Sequence, residues 1–167
     1  MAKFYGKYRG TVFNNIDPEM RGRIQAVVPD VTGVLPTSWA LPCVPLAGKQ
    51  CGEFAVPQIG TAVWIEFEQG DRDHPIWAGC FWGTGEVPGL ASAVPPVVQQ
   101  ILLQTQLQNS LLISDVPGPT GGIQIKTTTG AMISVTDVGI IISNGKGADI
   151  TMVGPSVTIN QGALAVI

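Results

Sequence analysis

No aromatic residue follows Trp82: the two Tyr, four Trp and five Phe all lie in the first half of the 167-residue chain. Rings are the large core fillers of compact domains, so residues 87–167 lack the usual means of building an ordinary globule. Charge is also scarce, with Asp, Glu, Lys and Arg making 13 % of the chain. Beyond Glu86 only Asp115, Lys126, Asp137, Lys146 and Asp149 carry it. With 45 % hydrophobic residues, the chain is excluded from disorder by charge and polarity. A surplus of Lys and Arg is missing too, since the net charge is −3, which argues against nucleic acid as a partner. No run of about 18 apolar residues exists to form a membrane-crossing helix. The opening stretch Met1–Arg9 has no apolar core of a secretory signal, so assembly in the cytoplasm is expected. Cys43, Cys51 and Cys80 lack metal-ligand spacing and read as reduced, buried thiols.

Glycine and proline are abundant, at 21 and 13, which points to many turns and few long helices. The first half reads as a small β-barrel. Tyr8–Phe13 and Arg23–Val28 are short alternating runs joined by the polar turn 14–22. Thr61–Glu68 is the clearest strand: Ala62, Trp64, Glu66 and Glu68 share one face, and Val63, Ile65 and Phe67 the other. A turn at 69–75 and the run Ile76–Phe81 complete a hairpin. About five strands with long loops suit an OB-like barrel.

Residues 87–96 have connector composition, with prolines that forbid a helix interior. An internal repeat follows. Ile101–Thr105 aligns with Ile123–Thr127 at an offset of 22, and the register continues through Leu111 with Ile133 and Ile113 with Val135. A further pass at an offset of 17 maps Ile123, Ile125 and Ile133 onto Ile140, Ile142 and Ile150, and Ile140 and Ile142 onto Val157 and Ile159. Each unit holds two short strands with a small-residue turn, the mark of a stacked, quasi-one-dimensional architecture. Val97–Leu107 taken alone also has helical spacing, but its downstream copy alternates strictly and favours a strand. The fold class expected is all-β: an OB barrel over 1–86, a connector over 87–98 and an intertwined trimeric β-helix, a needle, over 99–167.

A single ribbon of such strands has nothing to bury its aliphatic side chains and leaves its edges unpaired. Three copies wound on one axis bury them and let each chain's edges pair with its neighbours. The lack of rings then has a cause, because a threefold axis accepts Ile and Val but not three indoles. A homotrimer is therefore expected. The run Ala163, Leu164, Ala165, Val166 and Ile167 carries no charge, and three copies of it would make an apolar tip that expects a partner.

The segment Gly10–Asp30 combines a strand, Asp17-Pro18, Gly22-Arg23 and a strand ending in Val28-Pro29. Together with Ser38–Pro42 and above all Pro57–Gly79, it resembles the phage baseplate assembly protein V and VgrG-type central spike proteins of contractile injection systems. The Ile-x-Ile-x-Thr run at 123–127 and Gly154–Asn160 resemble the β-helical needle of the same proteins. The resemblance implies a non-enzymatic homotrimer seated on a baseplate hub protein, tipped by a PAAR-type protein and driven through the target membrane mechanically. It implies residence in a phage tail or extracellular injection particle. Unlike larger members, this sequence shows neither a fused hub domain before residue 10 nor room for a lysozyme domain after Glu86.

Other chemistry is weighed against this. Asp71-Arg-Asp-His74 holds the only histidine and could bind a cation, yet the same residues suit a polar hairpin loop. Asp17 and Arg23 could form a buried pair, with loop solvation preferred. No nucleophile elbow or phosphate-cradling loop is present. An OB barrel gripping oligonucleotide or saccharide is the alternative function. Trp39, Trp64, Trp77 and Trp82 are instead expected to fill the barrel or a trimer contact. No catalytic residue, metal ligand or cofactor is assigned.

Overall fold

The computed structural model describes residues 2–166, which form two compact units divided between Glu86 and Val87. In the first unit β1 (Tyr8–Asn14), β2 (Gln25–Val27), the short helix α1 (Pro29–Thr32) and β3 (Leu41–Pro42) precede a small ribbon. That ribbon pairs β4 (Ala47–Gly48) with β5 (Cys51–Gly52). Strands β6 (Ala62–Phe67) and β7 (Pro75–Cys80) then form the hairpin. The sheet order is β2-β1-β6-β7-β3, and bridges from Ile24 to Ala40 and from Val27 to Pro36 bring its two ends together. Closure into a barrel removes the exposed edges that a five-stranded sheet would carry.

Alternation along β6 sorts its side chains as expected. Val63, Ile65 and Phe67 are buried, while Ala62, Trp64 and Glu66 are only partly covered. Val12, Ile24, Ala26, Val28, Ala40 and Trp77 complete one core. Each large aliphatic sealed there contributes about 1.5–3 kcal/mol. Phe4 and Tyr8 extend that core by packing edge-on against one another and on Phe67. Trp77 spends its indole N–H on the carbonyl of Gly22 at 3.0 Å, so burial of the ring leaves no donor unpaired.

Asp17 and Arg23 correct the expectation of a solvated loop. Their side chains are 4 % and 12 % exposed and meet at 2.6 Å. The Asp17 carboxylate also accepts from the backbone N–H groups of Glu19, Arg21 and Arg23. Arg23 lies over the Trp39 ring at 5.5 Å. A carboxylate that closes its own turn cannot stay in water, because the donors it needs are on the folded loop. The Arg23 guanidinium foremost, with those N–H groups, holds the Asp17 carboxyl well below its ordinary value of 3.8.

A depressed folded-state value means that Asp17 stabilises the barrel above the ordinary carboxylate range and ceases to do so as pH falls through the folded value. Asp71 shifts in the same direction, chiefly through the Asp73 N–H. The melting temperature should therefore fall as the solution is taken from about pH 5 toward pH 2. Asp17→Asn should melt several degrees lower at neutral pH and show a shallower acid dependence. Thermal melts across that range check both.

The second unit opens with α2 (Gly89–Ser92), a single turn that the connector prolines bracket rather than forbid, since Pro88 caps it and Pro95 follows. Eight strands succeed it: β8 (Gln100–Gln104), β9 (Ser110–Ser114), β10 (Gly122–Lys126), β11 (Met132–Val135), β12 (Ile140–Ser143), β13 (Asp149–Val153), β14 (Ser156–Ile159) and β15 (Leu164–Val166). They form one antiparallel meander in chain order. The segment with helical spacing is thus a strand, at β8. Seven spacings of about 4.8 Å separate the two outer strands by about 34 Å.

Each strand from β9 to β14 finds both neighbours within its own chain, and only β8 and β15 are edges. The pairing with sister chains expected for the edges of the ribbon is thereby confined to β8 and β15. Backbone pairing is satisfied locally, because each two-strand repeat folds back on itself through a tight turn. The apolar face is what the single chain leaves uncovered.

Candidate functional site

Strict register converts the sequence repeat into a surface. Ile101, Ile113, Ile123, Val135, Ile140, Met152 and Val157 stand opposite one another in turn, from β8 to β14. Leu103, Leu111, Ile125, Ile133, Ile142, Ile150, Ile159 and Leu164 make a second row beside them, reaching β15. Both rows lie on the same side of the sheet, because they are two residues apart on every strand. Neither is interrupted by a polar residue.

This face is open in the single chain. Ile101, Leu103, Ile113, Ile123, Ile125, Ile133 and Ile150 are all between 39 % and 65 % exposed. An uninterrupted aliphatic surface of this extent marks an interface, since isolated soluble chains rarely carry one. The opposite face is different. Its middle row reads Leu102, Leu112, Gln124, Ser134, Ile141, Thr151 and Thr158, so beyond β9 every member but Ile141 is polar. At its β8 end that side is covered by residues of the connector and the 116–120 loop. Leu90, Val94, Val116 and Pro119 there roof a cavity of about 370 Å³ over Leu112, Gln124 and Ser134. Gln100 donates to the Ala91 carbonyl at 2.7 Å and ties α2 down. One face is therefore already covered in part by its own chain, and the other awaits a partner.

Gly122, the first residue of β10, is a position where this sheet depends on having no side chain. Its φ is +71°, and a Cβ there would overlap the carbonyl oxygen of Val135 on the neighbouring strand. The glycine lets β10 enter beside β11 in the register that aligns the two aliphatic rows.

Ala163 and Leu164, of the expected tip-docking run, are exposed, and β15 carries Leu164–Val166. Ile167 lies outside the described residues. Cys43, Cys51 and Cys80 are free and exposed, against the expectation of buried thiols. The β4–β5 ribbon holds Cys51 at the surface, and Cys80 ends β7 where the barrel opens. Of the tryptophans, Trp77 is in the core, Trp39 and Trp64 are half-buried, and Trp82 is exposed.

Around Asp71 the side chains close a turn. Its carboxylate accepts from the Asp73 N–H at 3.1 Å and faces His74 Nδ1 at 3.5 Å. Among the described residues no three His, Cys, Asp or Glu side chains are grouped to hold a metal ion. The buried Asp17–Arg23 pair is the feature that sequence reading undervalued. Its signal was the placement of Gly22 between a loop aspartate and an arginine that opens a strand.

Comparison with known families matches the two units separately. Residues 8–82 match the type VI secretion system/phage-baseplate injector OB domain. Residues 100–165 match the phage baseplate V C-terminal trimerisation domain, the stretch that carries both aliphatic rows. No curated protein matches the chain in direct sequence comparison. Between them the two families account for all but the connector and the chain ends, and the protein belongs to the phage baseplate V family as a trimerising structural component of the baseplate.

Proposed function

We propose that this chain is the central spike of a contractile injection apparatus, in a phage tail or an extracellular injection particle. Three copies close their aliphatic faces on a common axis and make a stiff needle. The observation that carries this reading is the pair of unbroken aliphatic rows, open in one chain and falling within the trimerisation domain. Opening one strand of such a needle would break contacts with two other chains as well as its own neighbours. The work done on the target membrane is mechanical, with force delivered by the particle and concentrated by a narrow rod.

The barrels seat the trimer on a baseplate hub protein, and the β15 end receives a PAAR-type tip protein through Ala163–Ile167. Supporting this docking are the resemblance to spike proteins and the place of β15 as the outermost strand of the sheet. Electron microscopy of the intact particle, with this chain labelled, should place the label on the tail axis below the hub. A label at the particle periphery would rule the spike assignment out. Deleting residues 163–167 should abolish co-purification with the tip protein while leaving the trimer assembled.

A further inference from the structure

The cavity beneath α2 and the 116–120 loop lies wholly within the second unit, and the sheet holds its roof in place. Gln100 donates to the Ala91 carbonyl at 2.7 Å, and Gln124 to the Thr120 carbonyl at 3.2 Å. The Val116 N–H donates to the Ser114 hydroxyl oxygen at 3.3 Å, and the Gly118 N–H to the Asp137 carboxylate at 3.2 Å. Four side chains thus fix the roof, yet about 370 Å³ beneath it stays open. Protein interiors are close-packed, because unfilled space forfeits dispersion contacts along its whole lining. A roof pinned at four points above such a space leaves room for an occupant.

The lining states the chemistry of that occupant. Leu90, Val94, Leu112, Met132 and Ile141 give apolar walls, and no Asp, Glu, Lys or Arg faces the space. A charged group would lose its hydration there with no counter-charge to replace it, so the ligand is neutral. One polar group stands apart. Ser134, in the floor between Gln124 and Ile141, is 4 % exposed. Among the described residues no side-chain polar atom is sealed off without a partner. The Ser134 hydroxyl bonds to no group of the chain, so it opens on the cavity. Apolar walls with a single hydrogen-bonding group, in a volume within the usual range of about 300–1,000 Å³, are the general make-up of a small-molecule site.

We propose that this cavity binds one alkyl chain of a neutral amphiphile, held between roof and sheet, with the hydroxyl or ester oxygen of its head hydrogen-bonded to Ser134. Ser134 alternates with Ile133 and Val135 on β11, so the cavity is on the side of the sheet turned away from the aliphatic rows. Burial of those rows between copies leaves it in place. The site therefore stands or falls apart from the spike reading.

Titration calorimetry of the purified full-length protein with 1-butanol, 1-pentanol and 1-hexanol tests this. One alcohol should bind per chain, and each added methylene should tighten binding about fourfold. Ser134→Ala should weaken every alcohol several-fold and leave the methylene increment unchanged, because the walls remain. Ser134→Leu, which fills the floor, should abolish binding. Neutral phosphatidylcholine vesicles then identify the source of the chain. Flotation of the wild type but not of Ser134→Leu assigns the tail of a membrane lipid, whereas alcohol binding with flotation of neither assigns a free amphiphile. Equal affinity of wild type and Ser134→Ala, or affinity that ignores chain length, would overturn the site.

Discussion

Ile133→Asp should convert the protein from a trimer to a monomer. Ile133 stands in the middle of the second aliphatic row, between Ile125 and Ile142, and is 44 % exposed in the single chain. Three copies of the variant would bring three carboxylates to one apolar axis. Each loses several kcal/mol of hydration there, and no cation on that face repays it. The original isoleucine supplies about 1.5–3 kcal/mol when fully buried, so both contributions change sign against assembly. Native mass spectrometry should show the trimer replaced by single chains at micromolar concentration. Lys146→Asp makes a useful companion, since it places a carboxylate on an exposed turn outside the face. That variant should remain trimeric.

Gly122→Ala should be almost as damaging for a different reason. The methyl group would need the space of the Val135 carbonyl oxygen, and the residue would sit at positive φ. Backbone cannot step aside as a flexible side chain could, so β10 must shift against β11. A shifted register moves Ile123 and Ile125 out of line with Val135 and Ile133, and the rows no longer meet those of a sister chain. A loss of about 3 kcal/mol per chain or more is expected, counted three times in one trimer. Resistance of the trimer to SDS and heat, read on a gel, should disappear. Gly89→Ala, where no atom lies within 4 Å of the added methyl, should leave that resistance unchanged.

Much of this was legible in the sequence because β-structure writes itself in alternation. The period of two in Thr61–Glu68 foretells which side chains of β6 are buried. Offsets of 22 and 17 residues foretell that Ile123 and Ile140 occupy equivalent places two strands apart. Alternation does not say whose strand lies alongside, since a ribbon paired with itself and one paired with a sister chain have the same pattern. That is why the pairing of β9–β14 within one chain emerges only in three dimensions.

The Asp17–Arg23 pair was undervalued for a related reason. Its burial depends on five donors that only a folded loop brings to one carboxylate. Exposure of the cysteines depended on the β4–β5 ribbon and on where β7 ends, neither of which leaves a composition signal.

The needle exists only if the aliphatic rows are buried between copies. Sedimentation velocity of the wild-type protein over a dilution series from micromolar to nanomolar tests that most directly. A single boundary at three chain masses, unchanged on dilution, is the predicted result. A folded species of one chain mass at micromolar concentration would contradict it.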